Sequence, residues 1–107
     1  MYREALVFEL KTHLRELQEF IHQIDERISS YRSGSLVIQN DYAYIKRYEN
    51  GKMVSTYIGK HLSQEEISNL KRELANHKTL KKRRSEYIKE CHALEKIIHQ
   101  YEKEENK

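Results

Sequence analysis

Aromatic and cationic side chains alternate in residues 42–60, YAYIKRYENGKMVSTYIGK, and no other segment gathers so many groups able to contact a ligand. Tyrosine rings can stack on nucleic-acid bases, while Lys or Arg beside them neutralises phosphates. Tyrosine also suits surfaces that contact another protein. The segment therefore predicts a binding surface and leaves nucleic acid and protein as alternatives. Its candidate contact residues are Tyr42, Tyr44, Lys46, Arg47, Tyr48, Lys52, Tyr57 and Lys60.

A second group of cations lies at residues 78–84, KTLKKRR. Because an α-helix repeats every ~3.6 residues, these side chains cannot all share one helix face. A run of this kind is typical of a solvated helix face, and phosphate contact is the alternative. The candidates for phosphate contact are Lys78, Lys81, Lys82, Arg83 and Arg84.

The charge is divided unevenly along the 107 residues. Residues 1–31 hold four Lys or Arg and six Asp or Glu, a net charge of −2, and residues 85–107 hold the same numbers. Residues 32–84 hold twelve Lys or Arg and five Asp or Glu, a net charge of +7. This segregation predicts a cationic surface on the middle of the chain, suited to phosphates or an acidic partner.

Catalytic and metal-binding patterns are missing from the sequence. The six histidines include no pair at i, i+4 spacing, so we expect no metal site. Cys91, the single cysteine, falls between apolar helical positions and is expected to be a packed thiol in a reducing compartment. No Gly-rich phosphate loop or activated nucleophile is recognisable, so we expect no enzyme activity and no cofactor.

The first element that must position these residues is a long N-terminal helix at about residues 1–31. Apolar residues recur there at alternating steps of three and four, forming a heptad seam: Val7, Leu10, Leu14, Leu17, Ile21, Ile24 and Ile28. Such a seam predicts a coiled coil, formed either with a second helix of the same chain or with a second copy in a homodimer.

Residues 35–58 read as a three-stranded antiparallel β-meander. Asn50-Gly51 between β-forming residues predicts a two-residue type I′ turn, which pairs Tyr44 with Tyr57 and Ala43 with Ile58. A second two-residue loop is expected at Asn40-Asp41. Alternation then places Leu36, Ile38, Ala43, Ile45, Val54 and Ile58 on a core face, and Tyr42, Tyr44, Lys46, Tyr48, Met53 and Tyr57 on the other.

Ser63 and Glu66 form a capping box that begins a second long helix at residues 63–104. Its apolar seam is interrupted over 76–85, so either a bend or a continuous, overwound helix is expected there. Its distal half should pair antiparallel with the first helix. The predicted fold is α+β in a single domain: a helical-hairpin stalk with a β head.

The string KRYENGKMVSTYIGK (46–60) resembles hairpins in small proteins of phages and other mobile elements, including DNA-contacting arms of integrases and transposases. The order of heptad helix, Gly-Ser-Leu strand (34–36), tyrosine-rich hairpin and Lys-rich helix (73–98) resembles that of a group of phage-type proteins. Some of those proteins carry a nuclease-like C-terminal part that is missing here. The resemblance implies a stand-alone binding protein, and by class analogy an anti-CRISPR inhibitor that occupies the nucleic-acid-binding surface of a host CRISPR nuclease.

Together these features predict a non-enzymatic protein that binds nucleic acid or a nucleoprotein such as a CRISPR effector complex. The rival hypothesis is a coiled-coil homodimer, a structural or adaptor protein whose tyrosines form a protein interface. No apolar run is long enough to span a membrane and no signal peptide is recognisable, so we expect a cytoplasmic protein.

Overall fold

The structure is a computed structural model that describes residues 2–105, in the order helix, three strands, helix. Helix α1 spans Tyr2–Ser30, and helix α2 spans Gln64–Glu105. Between them lie strands β1 (Ser35–Gln39), β2 (Tyr42–Glu49) and β3 (Lys52–Lys60). The predicted α+β class and element order are confirmed. The chain divides into two compact units, one of residues 28–80 and one made of the remaining parts of the two helices.

Residues 28–80 contain an antiparallel sheet in the order β1-β2-β3. Asn40 and Asp41 have φ angles of 52° and 67°, and Asn50 and Gly51 have 53° and 78°. Positive φ at both central residues is the signature of a type I′ turn, whose twist matches that of the strands it joins. Both two-residue loops and the register next to them are therefore as the sequence predicts.

The core of this unit forms where the sheet meets the first part of α2. Ile45 is buried against Leu70 and Leu74, and Leu36, Ile58 and Leu62 pack around this cluster. Ile38 was also expected in the core, but 46% of its surface is exposed. It lies two residues before Asn40, where the Asn40-Asp41 turn begins, on an edge strand, and it is not part of the cluster that covers Ile45.

Ser63 caps the N-terminus of α2. Its hydroxyl oxygen accepts a hydrogen bond from the Glu66 backbone N–H at 3.1 Å, and its O–H donates one to the Glu66 carboxylate at 3.2 Å. The predicted cap by Ser63 is thus confirmed, and the Glu66 side chain reaches back to the Ser63 hydroxyl, whereas a standard capping box places it on the backbone N–H. A cap of this type stabilises a helix by about 1 kcal/mol.

The other unit is an antiparallel pair formed by α1 and the later part of α2, as predicted. Arg3 pairs with Glu104 at one end, at 3.5 Å, and Asp25 pairs with Arg84 at the other. The buried positions follow the heptad seam of α1 and the matching positions of α2: Val7, Leu17, Ile24, Cys91 and Ile98.

Helix α2 is continuous across residues 76–85, where the sequence pattern left a bend open. Of the two alternatives, the structure therefore has the continuous helix. His77 and Arg84 are half-buried and Leu80 is buried, so the inward-facing positions continue through the segment. Long polar side chains can bury their apolar stems and keep their polar ends in water, which hides such positions from a hydropathy pattern.

Gly34 joins α1 to the sheet in a conformation that a side chain would not tolerate. Its φ is 120°, and a Cβ atom there would lie 2.5 Å from the Lys46 carbonyl oxygen. Gly51 also has positive φ, 78°, but faces open space. Only Gly34 is therefore constrained both by its dihedral angle and by a close backbone approach.

We expect Gly34→Ala to lower the free energy of unfolding by about 2 to 4 kcal/mol. The backbone strain of a positive φ and the collision of the new Cβ with the Lys46 carbonyl oxygen both contribute to this loss. Gly51→Ala, the matched control, should lower it by about 1 kcal/mol, through strain alone. Urea denaturation followed by circular dichroism measures both. Equal losses would contradict the close approach of Gly34 to Lys46.

Candidate functional site

One face of the sheet carries every tyrosine of the three strands, and we call it the tyrosine face. It lies opposite the face that packs Ile45 against α2, because side chains alternate along each strand. By register, its residues are Ser35, Val37 and Gln39 of β1, Tyr42, Tyr44, Lys46 and Tyr48 of β2, and Met53, Ser55, Tyr57 and Lys60 of β3. This set contains two lysines and no Asp or Glu.

Tyr57 is at the centre of an aromatic cluster on this face. Its ring centroid lies 5.7 Å from that of Tyr44, in an edge-on arrangement at 61°, and 6.2 Å from that of Tyr42, tilted by 48°. Pairs of this geometry contribute about 0.5–1.5 kcal/mol beyond the area they bury. The three rings therefore hold one another in place.

The tyrosines differ in how much ring surface they present. Tyr48 is 76% exposed and Tyr57 is 55% exposed, whereas Tyr44 is half-buried. Met53, the cross-strand partner of Tyr48, is also exposed. Tyr48 and Tyr57 are consequently the rings with most surface available to a ligand, and Tyr44 supports Tyr57 from the side.

A β-bulge decides where Lys60 points. Tyr44 pairs with Tyr57, but the next pair is Ala43 with Gly59, so Ile58 is an extra residue in β3. The expected pairing of Ala43 with Ile58 is thus wrong. Without the extra residue, strict alternation would turn Lys60 to the core side. A glycine inside a strand often marks a bulge, and Gly59 was the available signal.

The bulge places Lys60 opposite Tyr42 on the tyrosine face. The Lys60 ammonium lies 4.9 Å from the centre of the Tyr42 ring, within the range of a cation–π interaction. Within residues 2–104, neither Lys46 nor Lys60 forms a salt bridge with a carboxylate. The positive charge of this face is therefore not neutralised by an acidic side chain.

Arg47 and Lys52 lie on the other side of the sheet. Arg47 is paired with Val54, and its guanidinium is 3.5 Å from the Glu49 carboxylate. Lys52 pairs across the hairpin with Glu49. Adjacency in sequence suggested that these cations would join the tyrosines, but alternation along the strands separates them from Lys46 and Lys60.

The cations of α2 are spread over both units. Lys78 belongs to the sheet unit, where it lines a shallow cavity with Leu36 and Leu74 on the helix side of the sheet. Exposed cations of the helical unit follow it along the chain: Lys81, Lys82 and Arg83. None of these four is on the tyrosine face, so the site has fewer cations than the sequence suggested.

Arg84 already has a partner. Its Nε donates a hydrogen bond to the Asp25 carboxylate at 2.5 Å, which links α2 to α1. Both side chains are partly exposed, and pairs of this kind contribute at most about 1 kcal/mol. The Arg84 guanidinium therefore joins the two helices, whereas its position in the run KKRR suggested a phosphate contact.

Other reactive groups do not form a site. Burial raises the pKa of the Cys91 thiol above its ordinary value, and the nearby carboxylates of Glu95 and Glu90 raise it further. Among the side chains of residues 2–104, no three from His, Cys, Asp or Glu are grouped closely enough to hold a metal ion. No helix in that range has an apolar stretch long enough to cross a bilayer.

Comparisons with protein-family models, curated proteins and solved structures give no significant match. The resemblance of residues 46–60 to hairpins of phage proteins therefore stays a prediction. The residues that the structure brings together are Tyr42, Tyr44, Lys46, Tyr48, Tyr57 and Lys60, with Met53 beside Tyr48.

We expect Cys91 to react with iodoacetamide at about pH 8 at least tenfold more slowly in the folded protein than in concentrated urea, because a buried thiol with a raised pKa forms little accessible thiolate. Mass spectrometry of timed samples measures both rates. Equal rates would mean that the α1–α2 pair leaves Cys91 open to solvent.

Proposed function

We propose that this protein is a non-enzymatic nucleic-acid-binding protein and that the tyrosine face is its contact surface. One observation carries the proposal: exposed aromatic rings share a sheet face with two lysines, and this face contains no acidic residue. Among the side chains that the structure describes, no carboxylate forms a salt bridge with either lysine. A phosphate chain approaching this face would meet attraction from Lys46 and Lys60 and no repulsion from a side chain of the face.

The aromatic rings supply the second part of the binding energy. Stacking a base on an aromatic side chain contributes about 1–3 kcal/mol and works with every base, because each has a π face. Tyr57 is held edge-on by Tyr44 and is in contact with Tyr42, so little ring freedom remains to be lost on binding. The proposed contact is tolerant of sequence and depends on salt.

The proposal also covers the cell in which the protein acts and the kind of complex that it could bind. We place the protein in the cytoplasm of a cell that carries a phage or mobile element, on the resemblance of residues 46–60. A nucleoprotein such as a CRISPR effector complex would offer the same ligand chemistry. The channel of the effector protein that holds the guide is positively charged, and it would repel a cationic face. The tyrosine face therefore suits the nucleic acid of such a complex better than it suits the empty channel.

Binding to fluorescently labelled RNA and DNA of about twelve nucleotides, single-stranded and duplex, tests the proposal. We expect the protein to bind at least one of these four nucleic acids at about 50 mM salt, and to bind it more weakly at about 200 mM. Tyr57→Ala should weaken it by about 1–3 kcal/mol, roughly 5-fold to 160-fold. Tyr2→Ala is the matched control, because Tyr2 is 88% exposed but lies on α1, and it should leave the affinity unchanged.

Circular dichroism shows whether each variant keeps its fold. Absence of binding to all four nucleic acids at low salt would overturn the proposal and assign the tyrosine face to a protein partner, as the adaptor hypothesis predicts. Equal losses in Tyr57→Ala and Tyr2→Ala would place the contact elsewhere on the chain.

A further inference from the structure

The tyrosine face changes its chemistry row by row along β2, the central strand. A row is a residue of β2 with its partner on β3, and the four rows in order are Tyr42 with Lys60, Tyr44 with Tyr57, Lys46 with Ser55, and Tyr48 with Met53. Cationic rows, the first and third, alternate with aromatic rows, the second and fourth. The first row also has an aromatic ring, with the Lys60 ammonium over it.

The spacing of these rows restricts which nucleic acid fits. Residues two apart on a strand are separated by about 6.6 Å, so the rows repeat at that distance. Bases in a duplex are stacked about 3.4 Å apart, and their faces are covered by neighbouring bases. A duplex therefore cannot offer a base face to each aromatic row. A single strand can be extended and can turn its base faces outward.

We infer that the ligand of this face is single-stranded nucleic acid lying along β2. Bases stack at the Tyr57 row and the Tyr48 row, and phosphates meet Lys60 and Lys46. The inference rests on the proposed function and goes beyond it by naming the strandedness of the ligand and its direction across the sheet. From the first row to the last is about 20 Å, which suits roughly four nucleotides.

The β-bulge at Ile58 is the device that completes this pattern. Without it, strict alternation would give the Tyr42 row no cation, and Lys46 would be the only positive charge on the face. With the bulge, Lys60 becomes the second of two phosphate contacts. Lys60 and Lys46 lie on opposite sides of the Tyr44–Tyr57 row. This position distinguishes Lys60 from Lys52, which belongs to the same strand but lies on the other face.

Salt titrations of Lys60→Gln and Lys52→Gln test the inference with labelled single strands and duplexes of the same sequence, in RNA and in DNA. Each substitution removes one charge from β3, so the net charge of the two variants is equal. For single strands, each phosphate contact contributes about −0.7 to the slope of log affinity against log salt. We expect Lys60→Gln to reduce the slope by about that amount, and Lys52→Gln to leave it unchanged.

We also expect single strands to bind at least tenfold more tightly than duplexes, and affinity to stop rising steeply with length beyond roughly four nucleotides. Equal or tighter duplex binding, or equal slopes in the two variants, would overturn this inference and leave the proposed function intact. Absence of all nucleic-acid binding would overturn both.

Discussion

A sheet of three short strands is stable when one of its faces is covered by apolar packing. In this protein α2 covers that face, where Leu70 and Leu74 pack against Ile45 of the central strand. Side chains alternate along β2, so burying Ala43 and Ile45 obliges Tyr42 and Tyr44 to face the other way. A slip of one residue would bury tyrosines and expose Ile45. The exposed aromatic cluster is therefore a consequence of the core behind it, and its register is enforced by hydrophobic burial together with the two type I′ turns.

The cationic part of the candidate site depends on an irregularity. A regular hairpin would leave Lys46 as the only cation on the tyrosine face, whereas the extra residue Ile58 brings Lys60 over the ring of Tyr42. A bulge also increases local twist and is found where a protein redirects one side chain. The arrangement combines a regular scaffold, which positions the tyrosines, with one local deviation that positions a charge.

The positive charge of the middle of the chain is spread over several structural elements. The net charge of +7 on residues 32–84 is distributed among the tyrosine face, the opposite side of the hairpin and α2, and the two compact units share it. Some of the cations are engaged by carboxylates: Arg84 pairs with Asp25, and Arg47 contacts Glu49. A count along the chain records how many charges are present, but strand alternation and helix pairing determine which of them can act together.

The sequence by itself determined the α+β order, both helices, the two turns and the set of tyrosines on one face, because these follow from local preferences and from periods of two and of 3.6 residues. Only the tertiary structure decided the bulge, the exposure of Ile38 and the pairing of Arg84 with Asp25. Each of these depends on what lies opposite a residue across a strand or a helix. A periodic pattern identifies the face that a residue occupies as long as the strand stays regular, and the bulge before Lys60 breaks that regularity. The partner of a residue on its face is set by the packing of elements distant in the chain.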